Sequence, residues 1–167
     1  DVCSSDLTTL MQMPWLQASL KESLRLYPPV ASMLMRRACQ DMTIGPWRLR
    51  KGHLIALTPY VIQRDARWFD SPDAFKPERF MTQAPDAPRG AWMPFGAGPR
   101  VCIGQHFAMM EMGLIAAMLL QRFHIGWPDN TAWPAGNLGV TLRPAQPMHL
   151  NFHKIASFTS PPSAILV

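Results

Sequence analysis

The run Phe95-Gly96-Ala97-Gly98-Pro99-Arg100-Val101-Cys102-Ile103-Gly104 concentrates the chemistry of this sequence. Cys102 stands just ahead of an apolar stretch of helix composition. There the positive end of a helix dipole favours thiolate over thiol, and the Arg100 cation pushes the same way. Gly96, Gly98 and Gly104 let the backbone approach a flat ligand and aim N–H groups at the sulfur. A haem iron held by a single thiolate asks for those features: an anionic axial sulfur, shielded from water and steadied by donors. The turn lacks GxGxxG and the terminal GKS or GKT of a phosphate loop. Cys102 and His106 make only two candidate zinc ligands, with no second pair at suitable spacing. On these residues alone a cysteine nucleophile with a remote histidine stays open, as does a buried structural cysteine.

Glu22-Ser23-Leu24-Arg25 places a carboxylate and a guanidinium at i and i+3, facing each other on a helix. Most such pairs are solvated and of small value. Here Glu22 shares a stripe with Trp15, Ala18 and Leu26, so burial is expected, and a buried carboxylate needs more than one donor. Phe75-Lys76-Pro77-Glu78-Arg79-Phe80 can supply the second, because Arg79 sits in a proline-fixed turn between two aromatics.

These groups need elements to hold them. Leu10 to Tyr27 has helix composition, with Pro14 suited to a first turn and Pro28-Pro29 closing it. Leu16, Leu20, Leu24 and Tyr27 form one apolar stripe and Trp15, Ala18 and Leu26 another, which predicts a buried helix. Met35 to Pro59 reads as short strands punctuated by Gly45-Pro46 and Lys51-Gly52, with Leu54 to Leu57 the best candidate. Asp65 to Pro94 is a proline-rich meander whose Trp68, Phe69, Phe75, Phe80 and Trp92 need packing partners. After the cysteine loop, Gln105 to Phe123 predicts a core helix. Val140-Thr141-Leu142 and Met148 to Phe152 predict a terminal hairpin. The fold class is mainly α with small β-sheets.

Composition bounds the rest. At 167 residues, 48% hydrophobic and 16% charged, the chain is far too apolar for a disordered polar tail and long enough for one domain. Seventeen prolines and ten glycines argue against a simple helical bundle. The net charge of +5 is spread with no Lys/Arg block, which favours an acidic partner and no nucleic acid. Three distant cysteines suggest a reducing interior, and the longest apolar stretch, Phe107 to Leu120, is too short to span a bilayer. A soluble, cytoplasmic protein is expected. Residues 1–7 are expected to be an artefactual or disordered leader, since no methionine opens the chain and they back-translate into a common sequencing adapter. Residues 8–153 then form the domain and 154–167 a tail.

Taken in order, the helix ExxR at Glu22 and Arg25, the Pro77-Glu78-Arg79-Phe80 turn and the FGxGxRxCxG run carry a resemblance. From about Met13 to Phe152 the chain resembles the C-terminal part of a cytochrome P-450, a haem-thiolate monooxygenase. The resemblance implies haem b with Cys102 as proximal iron ligand. Arg100, and Arg36 in the first strand, match positions that bind haem propionates, although the adjacent Arg37 leaves that register open. Phe95 matches the aromatic shielding the thiolate, and Gly96, Gly98 and Gly104 match the loop glycines at the haem. Glu22, Arg25 and Arg79 match the ion network that locks the meander onto the helix. Val30, Ala31, Ser32, Met33 and Leu34 match one substrate-lining segment, and Leu138 to Val140 another.

The implied reaction partners are dioxygen, an apolar small-molecule substrate and a ferredoxin or flavodoxin/reductase electron donor. A haem-thiolate isomerase, dehydratase or peroxygenase would share these residues, and a truncated remnant without haem is a further alternative. Gln63-Arg64-Asp65-Ala66 stands where many members have His-Arg-Asp-Pro, a departure that touches turn geometry and no chemistry. The acid-alcohol pair that handles dioxygen lies outside this sequence.

Overall fold

The computed structural model describes residues 12–32, 34–81, 90–139 and 141–155. The expected leader, the tail from residue 156 on, Met33 and Val140 lie outside the described residues. Helix α1 runs Pro14–Leu26, with proline in its first turn and Tyr27 closing it by donating its N–H to Ser23 O at 2.7 Å. It buries one face through Ala18, Glu22, Arg25 and Leu26, and Leu24 is buried on the nearly opposite side. The expectation of burial on two faces holds at Ala18 and Leu26 on one stripe and Leu24 on the other, with Leu16 and Leu20 half-buried; Trp15 and Tyr27, at the stripes' ends, are exposed.

Strands β1 (Leu34–Arg37) and β4 (Leu54–Leu57) pair antiparallel, Arg36 opposite Ile55 and Arg37 opposite Leu54. Between them β2 (Met42–Ile44) and β3 (Trp47–Leu49) form a hairpin. Its two-residue turn starts at Gly45, whose φ of 54° belongs to the turns that match strand twist. A short helix α2 (Pro59–Ile62) leads into the meander, where Pro77–Phe80 winds into a 3-10 turn against α1. Among the meander aromatics Phe69 is buried and Phe80 packs edge-on against Trp92 at 5.7 Å, while Trp68 and Phe75 stay exposed. Trp92 Nε1 donates to Lys21 O at 3.1 Å, fastening the meander's far end to α1.

A second 3-10 turn, Gly98–Arg100, precedes helix α3 (Gln105–Arg122), which runs directly into β5 (Phe123–Gly126). Strands β6 (Gly136–Leu138) and β7 (Leu142–Pro144) form a hairpin. Strand β8 (Asn151–Lys154) pairs instead with β5, Ile125 opposite Phe152. The terminal hairpin is therefore corrected: its two predicted strands belong to different sheets, and Phe123 meets Phe152 edge-on at 5.7 Å. No helix among the described residues is long and apolar enough to cross a membrane.

Helix α3 also departs from expectation. Gly113 is its sole buried residue, and Phe107, Ile115 and Leu120 are each more than half exposed. Helix α1 packs across it, and Phe107, Ile115 and Leu120 leave an apolar surface on its other sides. A Cβ added at Gly113 would lie 3.7 Å from Gln17 Nε2 and 3.9 Å from Leu20 Cδ1, ordinary contact distances. Gly113→Ala should therefore stabilise the full-length protein by about 0.5–1 kcal/mol through backbone entropy, read as a raised urea midpoint. A lowered midpoint would mean the crossing has no room.

Candidate functional site

Helix α1 carries Glu22 and Arg25 into the centre of the molecule, where both are fully buried. Arg25 donates from Nε to Glu22 Oε2 at 2.7 Å and from Nη2 to Glu22 Oε1 at 2.9 Å, a two-pronged clasp. Its remaining N–H groups reach Gln63 O and Pro72 O at 2.7 Å each and Ala74 O at 3.2 Å. All five guanidinium donors are thus used. The cation also lies 5.0 Å from the Phe69 ring centroid. Glu22 Oε1 accepts two further bonds, from Lys76 N at 2.8 Å and Arg79 Nε at 3.3 Å. Among the described residues no buried side-chain nitrogen or oxygen lacks a partner. A buried ion pair is tolerable on such terms, because each of its polar atoms has a partner in place of water.

Arg79 turns its outer edge to Asp70 Oδ1, Asp70 O and Ser71 O, and Lys76 Nζ meets Asp70 Oδ2 at 2.7 Å. Lys76 and then Arg79 hold the Asp70 carboxyl below its ordinary pKa of 3.8. A lowered pKa in the folded state stabilises above the unfolded value and ceases to as pH falls through the folded one. Asp70→Asn should accordingly be less stable than the parent at neutral pH, with the gap closing as pH drops below the ordinary carboxylate range. Urea titrations at stepped pH measure this, and a gap that widens on acidification would refute it.

The cysteine loop is held by its own backbone. Gly96 N donates to Met93 O at 3.0 Å, Cys102 N to Phe95 O at 2.9 Å and Val101 N to Gly98 O at 3.0 Å. Gly96 at φ 78° and Gly98 at φ 73° take the left-handed conformations that the reversal demands. Gly104 is the N-cap residue of α3, without a side-chain cap, and a Cβ there would lie 3.9 Å from Cys102 Sγ. Cys102 is exposed, as are Arg100 and Ile103. Phe95 is half-buried, and its carbonyl accepts the Cys102 N–H.

Arg36 is half-buried on β1 and donates to the neighbouring Met35 O at 3.0 Å, while Arg37 is exposed and reaches Gly52 O at 3.5 Å. Neither of them, nor Arg100, pairs with a carboxylate among the described residues. Ala31 is buried, Val30 and Ser32 are half-buried, and Leu138 is exposed; Leu34 opens β1. Leu142 N donates to Pro29 O at 2.8 Å, which brings the β6–β7 hairpin against the segment that follows α1. The two segments expected to line a substrate space are therefore neighbours.

Gln63 is the buried polar residue that sequence reasoning passed over. It is fully buried, donates from Nε2 to Leu24 O at 3.1 Å and Arg25 O at 3.0 Å, and accepts from Met93 N at 2.7 Å at Oε1. The available signal was its place in a segment where the resemblance expected histidine.

These residues fit a flat, anionic, metal-bearing cofactor. The sulfur is accessible, nothing lies within 4 Å of a Cβ built at Gly98, and Arg100 offers a guanidinium without a carboxylate partner. Among the described residues no three His, Cys, Asp or Glu side chains converge on one point.

Comparison with known proteins gives consistent results. The sequence profile described as Cytochrome P450 matches residues 3–152. The chain is 38% identical over 144 residues to "Cytochrome P450 4d2" of Drosophila melanogaster, covering 86% of this chain and 28% of that protein. It is 38% identical over 149 residues to "Taurochenodeoxycholic 6 alpha-hydroxylase" of Sus scrofa, covering 87% and 29%. Similarity to "Putative cytochrome P450 132" of Mycobacterium tuberculosis is 42% over 114 residues, covering 68% and 24%. The chain thus spans under a third of these relatives' length. Among solved structures, "Retinoic acid bound cyanobacterial CYP120A1" superposes with a TM-score of 0.82 at 31% identity, covering 89% of this chain and 34% of that one.

Proposed function

The chain belongs to the cytochrome P450 family, and from that premise we propose that its parent enzyme inserts one oxygen atom of dioxygen into an apolar organic substrate. The observation that carries this reading is the accessible sulfur of Cys102, set on a glycine loop whose backbone is tied at Met93 and Phe95. Cys102 would hold the iron of haem b, and Arg100 and Arg36 would bind its propionates. Gly96, Gly98 and Gly104 would keep side chains out of its way, and Phe95 would be the aromatic that shields the thiolate. When bound, the haem would supply the dioxygen chemistry, and a thiolate ligand would enrich the iron in electron density. The protein's part is to orient the substrate and exclude water. Val30, Ala31, Ser32 and Leu138 wall the substrate space. Ser32 is the single hydroxyl among these walls, so recognition there is chiefly by shape and apolar contact. The relative named "Taurochenodeoxycholic 6 alpha-hydroxylase" is by its name a hydroxylase, which supports an oxygen-inserting reaction.

The Glu22, Arg25 and Arg79 network locks the meander onto α1 and so fixes the platform from which the cysteine loop departs. Electrons come from an acidic ferredoxin or flavodoxin-type donor, for which the net charge of +5 is the support; reduction should slow as ionic strength rises. The test is the full-length enzyme. It should give a ferrous carbon-monoxide complex with the red-shifted Soret band of thiolate ligation and transfer label from isotopic dioxygen into product. A thiolate-type band with unlabelled product would make it an isomerase, dehydratase or peroxygenase. The absence of any thiolate-type band would overturn the reading altogether.

A further inference from the structure

Three segments meet at one amide. Helix α1 ends at Leu26, so the carbonyls of Leu24 and Arg25 belong to its last turn and lack helical partners. Gln63 Nε2 gives one proton to each, at 3.1 and 3.0 Å. Its backbone carbonyl in turn accepts Arg25 Nη1 at 2.7 Å. Gln63 Oε1 accepts the Met93 N–H at 2.7 Å. From Met93 the chain of bonds continues: Met93 O accepts Gly96 N–H at 3.0 Å, and Phe95 O accepts Cys102 N–H at 2.9 Å. The side chain that caps α1 is thus also the peg from which the cysteine loop hangs.

We propose that Gln63 is a positioning residue, which sets the seat of the Cys102 loop by holding Met93 against the end of α1. The proposal rests on Cys102 being the haem ligand. The geometry calls for two donors and an acceptor on one planar group, which an uncharged amide provides. A carboxylate would set an oxygen against two carbonyl oxygens. A neutral imidazole would keep the acceptor and one donor, and an aliphatic chain would keep none. Full burial raises the stakes, since Met93 N–H and two carbonyls would each be orphaned away from water.

The experiment uses the full-length haem-loaded enzyme and the variants Gln63→Leu, Gln63→His and Cys102→Ser. In the parent, the Met93 amide should be protected from deuterium exchange to the same degree as the Ala108 amide, which donates to Gly104 O at 2.8 Å in the first turn of α3. In Gln63→Leu, Met93 exchange should rise by about tenfold or more while Ala108 stays protected. The thiolate-type band of the carbon-monoxide complex should decay to its blue-shifted, thiolate-free form about tenfold faster, at temperatures where far-ultraviolet dichroism is still native. Gln63→His should recover most of both losses.

A parental band lifetime and parental Met93 protection in Gln63→Leu would overturn the proposal. So would band loss that merely tracks unfolding. Should Gln63→Leu fail to fold, the parent decides: a Met93 amide exchanging at the rate of an open loop refutes the assignment. Persistence of the thiolate-type band in Cys102→Ser would instead sink the ligand reading, and that outcome is distinct from a failure at Gln63.

Discussion

Arg25→Ala in the full-length enzyme should cost about 3–5 kcal/mol, the penalty for stripping one partner from a buried ion pair. Against a typical total of roughly 5–15 kcal/mol, that is enough to leave most of the protein unfolded or without haem. The count of orphans explains the size. Glu22 would keep Lys76 N and Arg79 Nε but lose both prongs of the guanidinium. Gln63 O, Pro72 O and Ala74 O would lose their donor together. Lysine at this position retains the charge but presents three donors on one point, so Arg25→Lys should recover less than half of the loss. The three carbonyls also set this pair apart from an isolated buried one, which can often be replaced by two apolar residues at little cost. Here Glu22→Leu combined with Arg25→Leu would still leave three carbonyls unsatisfied, at about 1–3 kcal/mol each. The double variant should therefore remain severely destabilised. Urea unfolding and haem content measure both effects, and a double variant as stable as the parent would show that the carbonyls find water or new partners.

The parts of this arrangement legible in the sequence are those carried by local spacing. Glu22 and Arg25 announce themselves at i and i+3 among apolar neighbours, and Pro14 and Pro28 mark the ends of the helix that bears them. The glycines of the cysteine loop declare left-handed turns that Gly96 and Gly98 adopt. Long-range partnerships leave no such trace. Arg25 reaches carbonyls 38, 47 and 49 residues away. A backbone acceptor can be any residue type, so no side chain at those positions advertises the bond. Strand β5 was hidden for a related reason: Phe123-His124-Ile125-Gly126 continues a helix without a turn signal, and its pairing with Asn151–Lys154 is set by tertiary packing. Helix α3 misleads in the opposite direction, since an apolar composition states what a helix can bury and not what covers it. Gln63 is the sharpest case. A lone glutamine after a short helix reads as surface, and only its two carbonyl acceptors and the Met93 amide, all from segments distant in sequence, reveal why it is buried.

Cys102→Ser should separate chemistry from fold as cleanly as Arg25→Ala confounds them. The Cys102 side chain is exposed, and the bond that holds this residue in its loop is made by its backbone N–H to Phe95 O. Replacing sulfur by oxygen leaves that bond and the left-handed glycines untouched, so stability should change by no more than about 0.5 kcal/mol. The electronic consequence is of another order. A serine hydroxyl is far less acidic than a thiol, so it does not present the soft anion that an axial thiolate presents to iron. The red-shifted Soret band of the ferrous carbon-monoxide complex should vanish in the full-length variant, and product formation should fall by several orders of magnitude, while far-ultraviolet dichroism and the urea midpoint stay with the parent. A variant that lost its fold together with its spectrum would show that the metal bond, and not the Glu22–Arg25–Arg79 lock, organises the loop. The hydrogen bonds from Met93 through Phe95 to Cys102 argue against that outcome, because they seat the sulfur by backbone contacts alone.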